Sequence, residues 1–261
     1  MAEPAPTVPA ATILMLRDGD KGLEVFMVVR HHQIDFASGA LVFPGGKVDD
    51  GDFEVRDYCD GAGDADDTTL SMMVGAIREA FEECGILLAR ERGSTNLVSA
   101  ARLLELEHYR EPLNNGEISI RAFLDQENLV LACDTLVKFA HWITPEMMPK
   151  RFDTLFYLAV APDDHLAVHD GKESVDSVWI SPEDALAGAT SGKYTIIFPT
   201  RLNVEMLGTS HSVAAAISDA RARNIVSVLP WMEKRDDGMY LCIPPDAGYS
   251  ISAEKMEGRP A

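Results

Sequence analysis

The sequence predicts an α/β (α+β) fold in which a mixed β-sheet is sandwiched between helices, with further helices added around it. Apolar runs of strand length occur along the chain together with segments whose apolar residues recur at helical spacing. These strands and helices do not alternate strictly, which favours a mixed sheet over a purely parallel one. The chain has 261 residues and no visible internal repeat. We therefore expect a single domain over residues 1–261.

The composition is typical of a water-soluble globular protein with a sizeable core, since 46% of the residues are hydrophobic and 25% are charged. The formal net charge is −19. Nucleic acids and anionic membranes would be repelled by such a chain, so neither is an expected partner. A small anionic substrate is still compatible with this charge, because a bound cation inverts the local field.

Cysteine usage and the first residues indicate the compartment. The four cysteines are far apart and show neither a C-x-x-C pair nor zinc spacing. A disulfide framework is therefore not expected, and a reducing compartment fits best. The first residues lack the basic and apolar segments of a signal peptide, and no run approaches the about 20 apolar residues of a membrane span. We therefore predict a cytoplasmic location.

The first part of the chain predicts strands. Residues up to Pro9 are rich in Ala and Pro and are expected to form a loose tail. Three strand-length runs follow, at residues 11–17, 23–30 and 40–43. The first two are separated by a hairpin sequence at 18–22, and the third ends at the turn Pro44-Gly45-Gly46. The acidic stretch 49–67 is predicted to be a loop.

The periodicity becomes helical from about Thr68. Five apolar residues then form one stripe of a helix: Met73, Ile77, Ala80, Phe81 and Cys84. Three residues are suitable N-caps: Asp66, Asp67 and Thr68. Gly85 is suitable for the C-terminal end. The glutamates of this segment lie largely off the stripe, so we expect one buried face and another face that presents carboxylates.

The rest of the chain adds helices and strands. Helical periodicity predicts a helical insertion at about 90–127, broken by Asn114-Asn115-Gly116. Further strand-length runs occur at residues 136–143, 154–161 and 174–180. Ser181-Pro182 is a favourable helix start, and the helical patterns after it predict a C-terminal helical extension at about 181–223. A strand pair is expected around Asp236-Asp237-Gly238.

Three glutamates of the first predicted helix carry the strongest chemical signal. The spacing of Glu79, Glu82 and Glu83 places all three carboxylates on one helical face. Like charges one turn apart repel each other, and a divalent cation among them would remove that repulsion. Carboxylate oxygens suit Mg²⁺ or Mn²⁺. The spacing therefore predicts a metal site of the kind that serves chemistry on phosphates.

Two motifs together indicate a family. One is the strand that ends at Phe43-Pro44-Gly45-Gly46, and the other is R-E-A-F-E-E-C-G-I at residues 78–86. They resemble the signature of the Nudix hydrolases, which runs Gly, five residues, Glu, seven residues and R-E-U-x-E-E-x-G-U, where U is aliphatic or small and apolar. The second half matches at every position, with Ala80 and Ile86 as the U residues. The first half begins at Gly46.

The spacing between the two halves departs from that signature. Counting from Gly46 places Asp52 where the family has Glu, and Arg78 stands 18 residues later than the pattern requires. We expect residues 61–67 to belong to an extruded loop. The interruption resembles a minority branch of the family that is similar to the coenzyme A diphosphatases of animal peroxisomes.

Sequence upstream of the turn adds to the resemblance with that branch. The motif G-x-x-x-F-P-G-G occupies residues 39–46 and is preceded by Val29-Arg30. Many coenzyme A-directed members carry a second basic residue after that arginine, whereas this chain has Asp35 at the aligned position. The resemblance therefore leaves the leaving group open.

The resemblance implies a role for each residue of the second motif. Glu82 and Glu83 would be the principal metal ligands, and Glu79 would be a further ligand or the base that deprotonates water. Arg78 would complete the catalytic set by orienting a glutamate through a charge-assisted hydrogen bond. Gly46 would let the chain pass close to the metal site, and its carbonyl is a further candidate ligand.

More distant residues are assigned by resemblance as well. Family members often recruit an additional acid from a distal loop, and Glu173, just before a predicted strand, is the candidate metal ligand here. Arg30 and Arg151 are the candidate substrate-binding residues, because a guanidinium suits a phosphate. Each of these three residues has a simpler interpretation, as a surface acid or as one partner of a salt bridge.

The implied activity is Mg²⁺- or Mn²⁺-dependent hydrolysis of a diphosphate bond in a nucleoside diphosphate linked to another moiety. Substrates of this class are coenzyme A derivatives, dinucleotides and nucleotide sugars. The alternative is a non-catalytic Nudix-like module that binds a nucleotide and regulates another process. The resemblance also makes a homodimer an expected possibility.

Overall fold

The computed structural model describes residues 3–30, 40–165 and 174–256, with the backbone alone at Arg30, Ser174 and Val175. The β-strands of these ranges are β1 Thr7–Gly19, β2 Gly22–Arg30, β3 Leu41–Val42, β4 Gly45–Lys47, β5 Cys59–Asp60, β6 Ala89–Glu91, β7 Leu129–Ala132, β8 Val137–Ile143, β9 Arg151–Val160, β10 Ser174–Ile180, β11 Ser227–Val228, β12 Trp231–Arg235, β13 Gly238–Cys242 and β14 Ala253–Lys255.

The α-helices of the same ranges are α1 Asp67–Cys84, α2 Ala100–Leu106, α3 Arg110–Asn114, α4 Ile120–Glu127, α5 Pro182–Thr190, α6 Phe198–Leu207 and α7 Val213–Ala222. Short 3₁₀ helices occur at Asp50–Glu54, Arg56–Tyr58, Glu107–Tyr109 and Cys133–Thr135. Among the described residues no helix is both long enough and apolar enough to cross a lipid bilayer.

The central sheet is mixed, as the sequence predicts. Its strand order is β10-β2-β1-β9-β8-β11, with β3 beside β2 and β4 beside β1. Strand β1 runs parallel to β9 and antiparallel to β2 and β4. Because β4 lies beside the N-terminal half of β1, the glycine turn predicted at residues 44–46 in fact enters the sheet, with Gly46 opposite Ala11.

Helices cover both faces of this sheet. The core between α1 and the sheet receives Ala11, Ile13 and Met15 from β1. The alternate residues Leu14 and Leu16 belong to a second core, which α6 and α7 cover on the opposite face. This alternation is the period-two pattern of a strand that is buried on both sides. The predicted sandwich of a mixed sheet between helices is therefore confirmed.

The predicted loose tail up to Pro9 is wrong in its last residues. Strand β1 already begins at Thr7, and Val8 and Pro9 lie opposite Phe152 and Asp153 of β9. Pro9 lacks an N–H group, but its carbonyl accepts a hydrogen bond from the Val48 N–H at 3.0 Å. The parallel pairing with β9 thus outweighs the loop-like composition of these residues.

The predicted loop at residues 49–67 is also wrong for much of its length. Two 3₁₀ helices precede β5, which pairs in parallel with β7 in a second sheet of order β5-β7-β6. Val55 is fully buried and anchors this segment in the α1 core. Much of the interruption between Asp52 and Arg78 is therefore folded onto the domain, whereas residues 61–66, within the predicted extruded loop, form turns and coil that are largely exposed before α1 begins.

Helix α1 has the predicted ends. The Asp66 carboxylate accepts a hydrogen bond from the Thr69 N–H at 2.7 Å, which is an N-cap contact. Gly85 adopts a left-handed conformation, with φ of 68°, and its N–H bonds to the Phe81 carbonyl at 2.9 Å. The helix is packed by a stacked pair formed by Phe81 and Phe123 of α4, with ring centroids 5.6 Å apart.

The added helices lie where helical periodicity occurs. Helices α2, α3 and α4 fall within residues 90–127, and α5, α6 and α7 fall within residues 181–223. Strands β6 and β7 flank the first group, and the sequence pattern had not indicated either of them. The strand pair predicted around Asp236-Asp237-Gly238 is the β12–β13 hairpin, to which β14 adds a third strand.

Candidate active site

The C-terminal half of α1 lies against β4, and this contact assembles the candidate site. The Gly45 N–H donates a hydrogen bond to the Glu83 carboxylate at 3.0 Å. A Cβ atom placed on Gly46 would lie 2.4 Å from the nearer carboxylate oxygen of Glu79. A larger residue at position 46 would displace the Glu79 carboxylate from this position, so the glycine turn and the glutamates of α1 are in direct contact.

Arg78 is the centre of the polar network behind the glutamates. Its Nε and Nη2 each donate to an oxygen of Asp52 at 3.1 Å. Nη2 also donates to the Lys47 carbonyl at 2.8 Å. Nη1 donates to Glu79 at 3.0 Å and to Glu82 at 3.1 Å, and so holds these two carboxylates side by side. The Arg78 side chain is only 6% exposed.

Asp52 is the partner that holds Arg78 from the opposite side. Its side chain has no exposed surface, and it also accepts a hydrogen bond from the Asp49 N–H at 2.9 Å. Burial raises the pKa of the Asp52 carboxyl, while the charge of Arg78 opposes that shift. Burial also works against the Arg78 cation, but the charges of Glu79 and Asp52 outweigh it, so the pKa of Arg78 is raised.

Glu82 carries an unmatched buried oxygen. Glu82 is 4% exposed, and within the part of the chain that the structure describes its Oε1 has no hydrogen-bond partner, while Oε2 accepts from Arg78. Burial raises the pKa of Glu82 to about 8, with Arg78 opposing the rise and Glu79 adding to it. A buried carboxylate oxygen without a donor is costly, and a cation bound to it would remove that cost.

The donor set therefore fits a hard divalent cation. It consists of carboxylate oxygens next to a glycine turn. One of them, Oε1 of Glu82, accepts no hydrogen bond from the described residues. Among the described residues, no group of three acidic, His or Cys side chains already surrounds a common point. Glu79 and Glu82 are held by Arg78, whereas Glu83 is held by Gly45. The site thus has carboxylate ligands that suit a divalent cation, and hydrogen bonds from Arg78 and Gly45 hold them in place.

Two of the three glutamates are buried, although they lie off the apolar stripe of α1 as the sequence predicts. Glu82 and Glu83 are 4% and 6% exposed, and the Glu79 side chain is 14% exposed. The reason is that β4 and the 3₁₀ helix at Asp50–Glu54 cover the face of α1 opposite its apolar stripe. Because they are buried, these negative charges are costly in free energy, and a bound cation would offset that cost.

Of the more distant candidate residues, Arg151 is not brought into this group. Arg151 is buried at the start of β9, and its guanidinium donates to the carbonyls of Thr144 at 3.0 Å and Ala5 at 2.7 Å. These bonds attach β9 to the first residues of the chain, and the structure gives no support to a phosphate contact. The Arg30 side chain and Glu173 lie outside the described residues.

One residue that contacts the site has no signal in the sequence. Arg110 of α3 donates from Nε and Nη2 to the carbonyl of Glu82, at 3.2 and 3.1 Å. It belongs to the helical insertion, 28 residues from its partner. Neither spacing nor a motif singles it out among the arginines of that segment.

Comparisons with known proteins agree with the geometry. Residues 60–206, more than half of the chain, match the family model described as the NUDT19 Nudix domain. A putative nudix hydrolase 7 of Caenorhabditis elegans is 27% identical over 172 residues, which are 66% of this chain and 51% of that protein. The acyl-coenzyme A diphosphatase NUDT19 of Homo sapiens is 25% identical over 202 residues, which are 72% of this chain and 53% of that protein.

The chain thus spans about half the length of these curated relatives. Among solved structures, a NUDIX hydrolase from Alicyclobacillus acidocaldarius superposes with a TM-score of 0.70 at 27% identity, over 82% of this chain and 96% of that one. The matched segment contains the whole R-E-A-F-E-E-C-G-I motif, whose glutamates and arginine belong to the site described above, whereas the glycine turn at residues 44–46 precedes that segment. This chain belongs to the Nudix hydrolase family.

Proposed function

We propose that this protein hydrolyses a diphosphate bond in a nucleoside diphosphate linked to another moiety, with Mg²⁺ or Mn²⁺ as its cofactor. The observation that carries the proposal is the buried Oε1 of Glu82, which has no hydrogen-bond partner among the described residues although Oε2 of the same carboxylate accepts from Arg78. An isolated structural network would satisfy such an oxygen from within the protein. A cation-binding site leaves it for the metal.

The metal-holding residues would be Glu79, Glu82 and Glu83, with the Gly46 carbonyl as a further candidate ligand. When bound, Mg²⁺ or Mn²⁺ screens the diphosphate charge and acidifies the attacking water. Glu79 is the most exposed of the three glutamates and lies directly over Gly46, so it is the one best placed to accept a proton from water.

Arg78 acts on the glutamates rather than on the substrate. Its nitrogens are engaged by Asp52, the Lys47 carbonyl, Glu79 and Glu82. A planar guanidinium with these bonds fixes the orientation of both carboxylates before substrate arrives. Such pre-organisation lowers the reorganisation needed during the reaction.

The substrate class contains coenzyme A derivatives, dinucleotides and nucleotide sugars. The name of the human relative, an acyl-coenzyme A diphosphatase, makes an acyl-coenzyme A the first member to test. Many coenzyme A-directed members have a basic residue where this chain has Asp35, so dinucleotides and nucleotide sugars should be tested as well. The expected partner is a small molecule in each case.

The test is a product assay on the purified chain with an acyl-coenzyme A, NADH and UDP-glucose as substrates. Each is incubated with Mg²⁺, with Mn²⁺ or with EDTA, and the mononucleotide products are separated by liquid chromatography. The proposal expects turnover of at least one substrate with metal and none with EDTA. Tight binding without turnover of any substrate would instead favour the non-catalytic regulatory module.

A further inference from the structure

The C-terminal end of α1 leaves a backbone carbonyl of a candidate metal ligand without a helical partner. After Gly85 the chain turns, and the Ile86 N–H bonds to the Ala80 carbonyl at 3.2 Å instead of continuing the helix. The Gly85 N–H bonds to the Phe81 carbonyl. The carbonyl of Glu82, one residue further on, therefore needs a donor from elsewhere.

Arg110 supplies that donor with a two-pronged contact. Nε and Nη2 reach the Glu82 carbonyl at 3.2 and 3.1 Å, and Nη1 donates to Glu107 at 2.6 Å. The Arg110 side chain is 13% exposed, so its guanidinium is largely enclosed. The hydrogen bond to Glu107, in the same insertion, fixes the orientation of the Arg110 guanidinium. Lysine has no planar fork and cannot reproduce this contact.

Gly85 makes room for the guanidinium. A Cβ atom at this position would lie 3.1 Å from Nη1 of Arg110, closer than an ordinary van der Waals contact. The glycine of the R-E-A-F-E-E-C-G-I motif therefore has two structural reasons to be glycine here. One is its φ of 68°, and the other is the close approach of Arg110.

The charge of Arg110 also suits its position. The C-terminal end of a helix carries partial negative charge, so the carboxylates of Glu82 and Glu83 lie at the unfavourable end of α1. A cation on the Glu82 carbonyl offsets this charge without occupying the carboxylates, which Arg78 and Gly45 contact. Arg110 thus holds the main chain at Glu82, next to Glu83, through the carbonyl oxygen rather than through either carboxylate.

We propose that Arg110 is a positioning residue for the metal site, through which the helical insertion sets the placement of Glu82 and Glu83 and hence the affinity for the divalent cation. This inference rests on the proposed function, since it requires that the glutamates bind metal. The helical insertion would then stabilise the position of the metal-binding end of α1, because α3 and α4 contact α1 through Arg110 and through the Phe81–Phe123 stack.

The test measures Mn²⁺ affinity in the full chain, from the electron paramagnetic resonance signal of free Mn²⁺. The variants are Arg110→Lys, which keeps the charge, and Arg110→Gln, which removes it. The matched control is Arg102→Lys, whose arginine bonds to Glu105 and Glu127 within the same insertion. Thermal unfolding without metal is recorded for all three.

The expected result is a dissociation constant for Mn²⁺ about tenfold higher in both Arg110 variants and unchanged in Arg102→Lys. The Arg110 variants should lose some stability with the donor to the Glu82 carbonyl, yet remain folded at the assay temperature, because the Phe81–Phe123 packing is retained. Wild-type Mn²⁺ affinity in both Arg110 variants would overturn the inference while leaving the proposed function intact. Absence of Mn²⁺ binding by the wild-type protein would overturn both.

Discussion

Asp52 and Arg78 form a buried, two-pronged ion pair that joins the two halves of an interrupted motif. Asp52 lies in the 3₁₀ helix before the interruption and Arg78 lies in α1 after it, 26 residues apart. Both oxygens of Asp52 contact the guanidinium, and neither side chain is more than 6% exposed. The pair therefore brings the two halves of the motif into direct contact despite the interruption between them.

Asp52→Asn should destabilise the protein, because it leaves the buried Arg78 with one partner fewer. Breaking a buried ion pair on one side costs about 3 kcal/mol or more. The free energy of unfolding, measured by urea denaturation, should fall by about that amount. Asp52→Glu, which restores the family residue and its charge, should cost less than half as much. A loss in Asp52→Asn well below about 3 kcal/mol would show that the charge of Asp52 is not needed to hold the buried Arg78.

Gly46→Ala should reduce turnover, because its Cβ would overlap the Glu79 carboxylate, whose nearer oxygen would be 2.4 Å away. Glu79 must move, and its alignment with Glu82 through Arg78 is then lost. A misplacement of about 1 Å among catalytic groups costs about 100-fold in rate. The measurement is kcat on the best substrate of the panel.

The matched control for Gly46→Ala is Gly51→Ala. A Cβ at Gly51 would meet only the Ile120 side chain, at 3.8 Å, and the backbone there is not left-handed. Gly51→Ala should therefore retain wild-type activity. Similar losses in the two alanine variants would contradict the interpretation of the contact between Gly46 and Glu79.

Glu83→Gln should nearly abolish turnover while the protein stays folded. The amide can still accept the hydrogen bond that the Gly45 N–H now gives to the carboxylate, but it has no negative charge for a metal. We expect kcat to fall by more than about 100-fold, which equals about 2.7 kcal/mol of activation free energy. Glu54→Gln, at an exposed position of the preceding 3₁₀ helix, is the control. Wild-type activity of Glu83→Gln would remove Glu83 from the metal site.

Divalent metal should raise the melting temperature of the wild-type protein, because it binds only the folded state. At about 100 times its dissociation constant, Mn²⁺ contributes about 2.7 kcal/mol. In a domain of this size that stabilisation raises Tm by several degrees.

The variant Glu82→Gln should lose most of this shift, since it replaces the buried oxygen that has no partner. Differential scanning fluorimetry with Mn²⁺ and with EDTA measures both proteins. An equal metal-induced shift in the variant would mean that the cation binds elsewhere.

The sequence alone determined the features that depend on local pattern. The period of the apolar residues located α1, and the N-cap Asp66 and the terminal Gly85 followed from local capping chemistry. The spacing of Glu79, Glu82 and Glu83 proposed the metal site, and the flanking motif indicated the family that the wider comparison confirms. These features are recognisable because they depend on residues within one or two helical turns.

The tertiary structure decided the features that depend on contacts between distant segments. Polar composition suggested a loop at residues 49–67, yet Val55 is buried and β5 pairs with a strand more than 70 residues away. Periodicity placed the glutamates off the apolar stripe of α1, and it is the packing of β4 and a 3₁₀ helix against α1 that buries Glu82 and Glu83. Arg110 reaches Glu82 only because the helical insertion packs on α1. Burial and pairing are properties of the packed chain, so no local pattern determines them.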